Sequence, residues 1–320
     1  MRFDPAYHLR TNKQVERALF ADLLRRVAPH LGISPDKYAY VGMGGPYLED
    51  FVSVQSVMGC RQMTSLEKFP HVIQRQRFNR PHCRIKLRNK MSGSWVAKFQ
   101  AGNSPLVVWL DYSTTEWKEQ IGECVDLISK LPSMSIFKAT LACRVSVLGD
   151  TAKDSLPQRL EKLRSMFAGE FTEDDVRKDN FPLTMKRVFT RAVSSVLGDS
   201  SHMALRPLAM YCYNDGTPIL TITCLVGPPD RIRQVIRRSR LASWGFATLD
   251  WTDDPLVVDI PDLGIRERLA IDRFLPDATP RQIIKRLKLA LAESPDDSAR
   301  IVEGYARFAR HTPFFVKMAV

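Results

Sequence analysis

Nowhere does this sequence contain an apolar run approaching the ~20 residues that a membrane-spanning helix needs, so no membrane association of that kind is expected. Its six cysteines (60, 83, 124, 143, 212 and 224) include no C-x-x-C pair. Scattered thiols argue against a disulfide framework or a zinc centre and for a reducing compartment. His8 and His82 have no partner at ligand spacing, and no metal is expected. Residues 1–8 lack a signal-peptide core, so the expected location is the cytoplasm. Internal repeats and low-complexity tracts are missing, and so is the G-K-[S/T] of a phosphate-binding loop.

What is present is a soluble, globular composition: 44% hydrophobic and 26% charged residues, with a mean hydropathy of -0.20. The 320 residues suffice for one large core or two smaller ones. A formal charge of +12 favours an anionic substrate or partner, nucleic acid among them.

Apolar periodicity gives a helix at 11–31, a short strand at 37–41 and a helix at 47–58. A strand at 60–66, a helix at 70–79 and a strand at 82–87 follow. Residues 106–110 form a continuous apolar run, the pattern of a strand buried on both faces. A helix at 117–131 and a strand at 135–147 complete the series. This alternation implies an α/β, Rossmann-like, mostly parallel sheet. Residues 150–201 read as a helical insertion. Two strands at 208–213 and 217–226, joined at Asn214-Asp215-Gly216, read as a terminal antiparallel hairpin. Such a hairpin separates methyltransferase-type sheets from all-parallel dehydrogenase ones. The expected division is residues 1–227 for the Rossmann-like domain and 228–320 for a mainly helical C-terminal region.

Three strand ends carry the features of a nucleotide-type cofactor site. They are Gly42-Met43-Gly44-Gly45 after the first strand, Glu67-Lys68 after the second, and Asp111-Tyr112 after the run at 106–110. Glycines let backbone amides approach a ligand, and an acid accepts from ribose hydroxyls. A dinucleotide fingerprint wants a third glycine where Tyr47 stands, and Pro46 has no N–H for a phosphate. S-adenosylmethionine, which has no phosphate, fits better. A plain strand-to-helix turn would also look like this. Asp111 is the candidate general base for a methyl acceptor, or only the cap of the next helix. Tyr112 stacks on a ring or packs in the core.

The residues also resemble a known family. Tyr7, Leu9, Arg10, Asn12 and Lys13 are similar to it, as are Val41-Gly42-Met43-Gly44, Ser65-Leu66-Glu67-Lys68, Arg77 to Pro81 and Trp109-Leu110-Asp111-Tyr112. So are Tyr213-Asn214-Asp215 with 218–222, Tyr305 to Phe308, and 313–316. Together these motifs resemble a group of bacterial O-methyltransferases with the class I S-adenosylmethionine-dependent fold, some encoded beside anti-phage genes. The resemblance implies that Gly42, Met43 and Gly44 form the cofactor turn and that Glu67, with Lys68, holds the ribose. It places Asp111 and Tyr112 at the methyl-transfer pocket. Ser113-Thr114-Thr115 and Gly45-Pro46 depart from the group's pattern.

Two basic features complete the reading. Arg10 and Lys13 precede the first helix and can reach toward an anionic substrate. Arg231, Arg233, Arg237, Arg238 and Arg240 rim an amphipathic helix with Ile232, Val235 and Ile236 between them, and Arg233, Arg237 and Arg240 share one edge. Such a rim pairs with phosphates or simply solvates a docked helix. The expected function is S-adenosylmethionine-dependent methyl transfer to an anionic acceptor. The alternative is a catalytically inactive protein of the same fold that binds nucleic acid, or a protein partner in a multi-component system such as anti-phage defence.

Overall fold

The computed structural model describes residues 10–102, 104–149, 155–196 and 202–313. Tyr7, His8 and Leu9, with residues 314–316 of the C-terminal motif, lie outside the described residues. The chain begins with α1 (Thr11–Val27), β1 (Ala39–Gly42), α2 (Glu49–Met58), β2 (Gln62–Glu67), α3 (Pro70–Asn79) and β3 (Ile85–Asn89). It continues through α4 (Ser92–Ala97), β4 (Leu106–Asp111), α5 (Trp117–Lys130), β5 (Ser135–Ala142), α6 (Leu156–Met166) and α7 (Phe181–Ser194). Then come β6 (Ala204–Asn214), β7 (Pro218–Gly227), α8 (Pro229–Arg238), β8 (Leu256–Val258), α9 (Ile265–Asp272), α10 (Pro280–Leu287) and α11 (Pro295–Phe308).

Local chemistry sets these bounds. α1 gives way at Val27 to a single 3₁₀ turn, Ala28–His30, with Pro29 inside it, and Gly32 turns the chain at φ 76°. In α5, Trp117, Ile121, Cys124, Leu127 and Ile128 are buried at helical spacing. Every residue of β5 is buried, because β4 and β7 flank it. Pro207 brings a register shift into β6, where it cannot donate to the ladder.

The sheet has eight strands in the order β3-β2-β1-β4-β5-β7-β6-β8. Pairing is parallel from β3 through β5, whereas β7 runs antiparallel to both β5 and β6. The expected α/β class and terminal hairpin are therefore present. From β1 the chain adds strands first on one side, β2 then β3, and returns to the other at β4. β1 and β4 are thus neighbours at a topological switch point, where ligands of open α/β sheets bind.

Two compact units make up the chain. The larger is Phe20–Val257, whose core joins β4, β5 and β7 to α5 and α7 through residues such as Phe137, Phe181, Phe189 and Ile222. The smaller is Met1–Leu19 with Val258–Val320, and Leu263, Ile271, Ile283, Val302 and Tyr305 form its core. This division does not fall near residue 227, because α8 buries Ile232 and Val235 and stays with the larger unit. Among the described residues, no helix is long and apolar enough to cross a membrane.

Candidate functional site

The parallel register aligns Gly42 of β1 with Ser65 of β2 on one side and Trp109 of β4 on the other. Gly42, Glu67 and Asp111 therefore stand at the carboxyl ends of three adjacent strands, as the sequence reading expected of them.

The glycine turn is shaped from below. Tyr40 points its hydroxyl at Asp50 of α2 and donates to Oδ2 at 2.6 Å, both side chains being buried. A Cβ on Gly42 would sit 2.6 Å from the Tyr40 hydroxyl and 3.1 Å from that carboxylate oxygen. At Gly44 it would meet Leu48 at 2.5 Å and Phe51 at 2.7 Å. Gly45 differs. Its φ of +52° is left-handed, and nothing lies within 4 Å of where its Cβ would be.

α3 clamps the same turn. Gln76 donates to the Gly45 carbonyl at 2.7 Å, and Asn79 donates to the Pro46 carbonyl at 2.9 Å. Ser65 donates to Gln76 Oε1 at 3.2 Å, and Arg75 donates to the Tyr47 hydroxyl at 2.8 Å. With its carbonyls drawn to α3, the turn keeps its donors. Among the described residues, none accepts a hydrogen bond from the backbone amides of Gly44 or Gly45. Two successive donors at a strand end form a cradle for an acceptor-bearing ligand.

Beside the turn, Glu67 is half-buried, and its Oε1 accepts from the Phe69 amide at 2.8 Å. Oε2 has no partner among the described residues. Asn89 holds the backbone there by donating to the Glu67 carbonyl at 2.8 Å and the Lys68 carbonyl at 3.0 Å. Lys68 is exposed, with its ammonium 4.8 Å from the Phe69 ring centroid. The Glu116 carboxyl, past the end of β4, is held below the usual range, first by a hydrogen bond with Thr114 and further by the charge of Lys68.

Asp111 is half-buried at the end of β4 and aligns with Thr140 of β5. Tyr112 turns inward: it is 7% exposed and donates to Glu123 Oε2 of α5 at 2.8 Å. Burial first, then the neighbouring Cys124 and Glu123, pushes its hydroxyl well above the ordinary tyrosine range. Tyr112 thus packs in the core, the second of the two roles open to it.

The other sequence candidates stand before and within α1 and along α8. Arg10 and Lys13 belong to the smaller unit, where Arg10 is half-buried and Lys13 is buried. Arg233, Arg237 and Arg240 do stand exposed along α8 and just past it, over buried Ile232 and Val235. Their end of the molecule is not that of the crevice. β7 pairs Ile219 with Ala142 and Val226 with Ser135, so the chain leaves β7 at the amino ends of the parallel strands. Gly42, Glu67 and Asp111 sit at the opposite ends, and these arginines cannot touch a ligand held there. The hairpin itself carried the signal: a strand running back delivers the following helix to the far end. Tyr40, Asp50, Gln76, Asn79 and Asn89 escaped the sequence reading, since their roles exist only through contacts made across elements.

No curated protein matches this sequence. Among solved structures, it is similar to the N-methyltransferase NodS of Bradyrhizobium japonicum at 10% identity and TM-score 0.39, over 67% of this chain and 97% of that one. A putative methyltransferase of Streptococcus mutans in complex with SAH aligns at 8% identity and TM-score 0.38, covering 65% and 96%. Spermidine synthase from Thermotoga maritima aligns at 14% identity and TM-score 0.40, covering 68% and 62%. The sequence profile of the family described as "Putative O-methyltransferase" matches residues 5–320, so the chain belongs to that family.

Proposed function

We infer that this protein is an S-adenosylmethionine-dependent methyltransferase with its site in the β1–β4 crevice and an anionic acceptor as substrate. The observation that carries this is the pairing of donor and acceptor at the strand ends. Gly44 and Gly45 offer amides with no acceptor among the described residues, and Glu67 offers Oε2 beside them. Family membership supports the reaction class. Pro46 has no amide, so the turn lacks one donor that a pyrophosphate cradle would use.

When bound, the cofactor supplies an electrophilic methyl group on a sulfonium sulfur. The amides of Gly44 and Gly45 would hold its amino-acid end, and Glu67 would accept from its ribose hydroxyls. Asp111 would take the proton from the acceptor atom, which would receive the methyl group that the cofactor supplies. The net charge of +12 supports an anionic acceptor.

Calorimetric titration of the purified protein with S-adenosylmethionine tests this reading. Wild type is expected to bind, and Glu67→Ala to bind at least 10-fold more weakly, the ~1.4 kcal/mol of one lost charge-assisted hydrogen bond. No binding by wild type, or equal binding by the variant, would overturn it.

A further inference from the structure

α8 and the end of α1 raise a second question, independent of methyl transfer. Arg231, Arg233, Arg237, Arg238 and Arg240 are all exposed, over buried Ile232 and Val235. Arg231 is an anchor, donating to the Leu31 carbonyl at 3.1 Å, and Arg233 is paired with Asp230. The side chains of Arg237, Arg238 and Arg240 make no hydrogen bond or ion pair with any described residue. Arg25 and Arg26 share Asp22, and Arg26 lies 5.2 Å from the ring centroid of Trp244, just past α8. A surface cavity of about 550 Å³ runs along the helix, lined by Asp230, Arg231, Arg233, Gln234 and Arg237.

One or two cations would complement the carboxyl end of α8, and this surface carries more than that. A membrane surface is a poor match. Interfacial helices insert apolar side chains, whereas the large exposed hydrophobic residues (Val52, Phe69, Phe78 and Met91 among them) lie outside α8. A single strand would want exposed aromatic rings to stack on, but Trp244 is 6% exposed and covered by Arg26. Guanidinium groups in a row, without stacking partners, suit the phosphodiester backbone of a duplex.

We propose that the arginine face of α8 is a sequence-independent binding surface for duplex nucleic acid, following β7 at the end of the parallel strands opposite the β1–β4 crevice. The shared ligand chemistry is the phosphate backbone, so DNA and RNA duplexes are both candidates.

Fluorescence anisotropy with labelled 20-base-pair DNA and RNA duplexes of two unrelated sequences each, at 50 and 200 mM salt, tests this. At least one duplex type is expected to bind equally in both sequences, and the type that binds identifies the backbone. With about four phosphate contacts, affinity falls about 10²-fold between the two salt concentrations. The variant Arg237→Gln/Arg238→Gln/Arg240→Gln is expected to lose at least 10-fold in affinity at 50 mM and to flatten the salt dependence. Arg281→Gln/Arg300→Gln/Arg307→Gln, with the same net charge change, is expected to bind like wild type. Absence of duplex binding at 50 mM salt, equal loss in both triple variants, or binding to phosphatidylserine vesicles in place of duplexes would overturn the proposal. Exposed arginine-to-glutamine changes leave the core intact, and circular dichroism verifies the fold.

Discussion

Glycines 42, 44 and 45 adjoin in sequence, yet each answers a different physical demand. Gly42 is empty because the Tyr40–Asp50 pair lies against it, and Gly44 because Leu48 and Phe51 do. Gly45 alone faces open space and needs glycine only for its left-handed backbone. Gly44→Ala pushes a methyl group into side chains buried at 0% exposure, so a loss of about 1–3 kcal/mol is expected. Gly45→Ala is expected to cost only the left-handed strain, about 1 kcal/mol. Urea denaturation of the two variants checks the order, and a larger loss at Gly45 would contradict this account. The sequence makes a turn legible at 42–45. It conceals that two of the three glycines serve packing, because Asp50, Leu48 and Phe51 come into contact with them only through the return of α2. Tyr112 shows the same limit: strand parity alone cannot separate an inward ring from one that lines a mouth, and Glu123 decides it.

At the scale of elements, the glycine turn is held by α3 more than by its own chain. Gln76 and Asn79 take two consecutive carbonyls of the turn, and Ser65 ties Gln76 back to β2. Asn79→Ala removes the donor to the Pro46 carbonyl and is expected to cost about 1–2 kcal/mol of stability. It is also expected to weaken S-adenosylmethionine binding several-fold; full affinity in this variant, measured by calorimetry, would show that the clamp does not shape the cradle. The parallel strands were readable because β4 carries a continuous apolar run, buried from Leu106 to Leu110. α4 was not, since Ser92-Gly93-Ser94 reads as a loop, and it becomes a helix with Val96 buried and Trp95 beside Phe99. The arginine rim of α8 was legible from spacing alone. Its location was not, because that follows from the direction of β7 rather than from any property of the helix.

On the scale of the whole molecule, the thiols link packing to pH. Burial pushes Cys60 up to about 12 and Cys212 up to about 12. The native state therefore keeps protons that the unfolded chain gives up. Their contribution is complete below the unfolded thiol pKa, about 8.5, and declines as pH rises from there toward 12. The urea midpoint is expected to fall above about pH 8.5, and less steeply in Cys60→Ala/Cys212→Ala; an unchanged slope would show that other groups govern alkaline unfolding. The division of the chain has a different consequence, one that concerns its birth. The smaller unit joins Met1–Leu19 to Val258–Val320, two segments that leave a ribosome far apart in time. At roughly 5–20 residues per second, the ~240 residues between them take ~10–50 s to synthesise. Val15 and Leu19, fully buried in the finished protein, spend that interval outside a completed unit. A nascent chain stalled before Val258 therefore holds Val15 and Leu19 without the second segment of their unit.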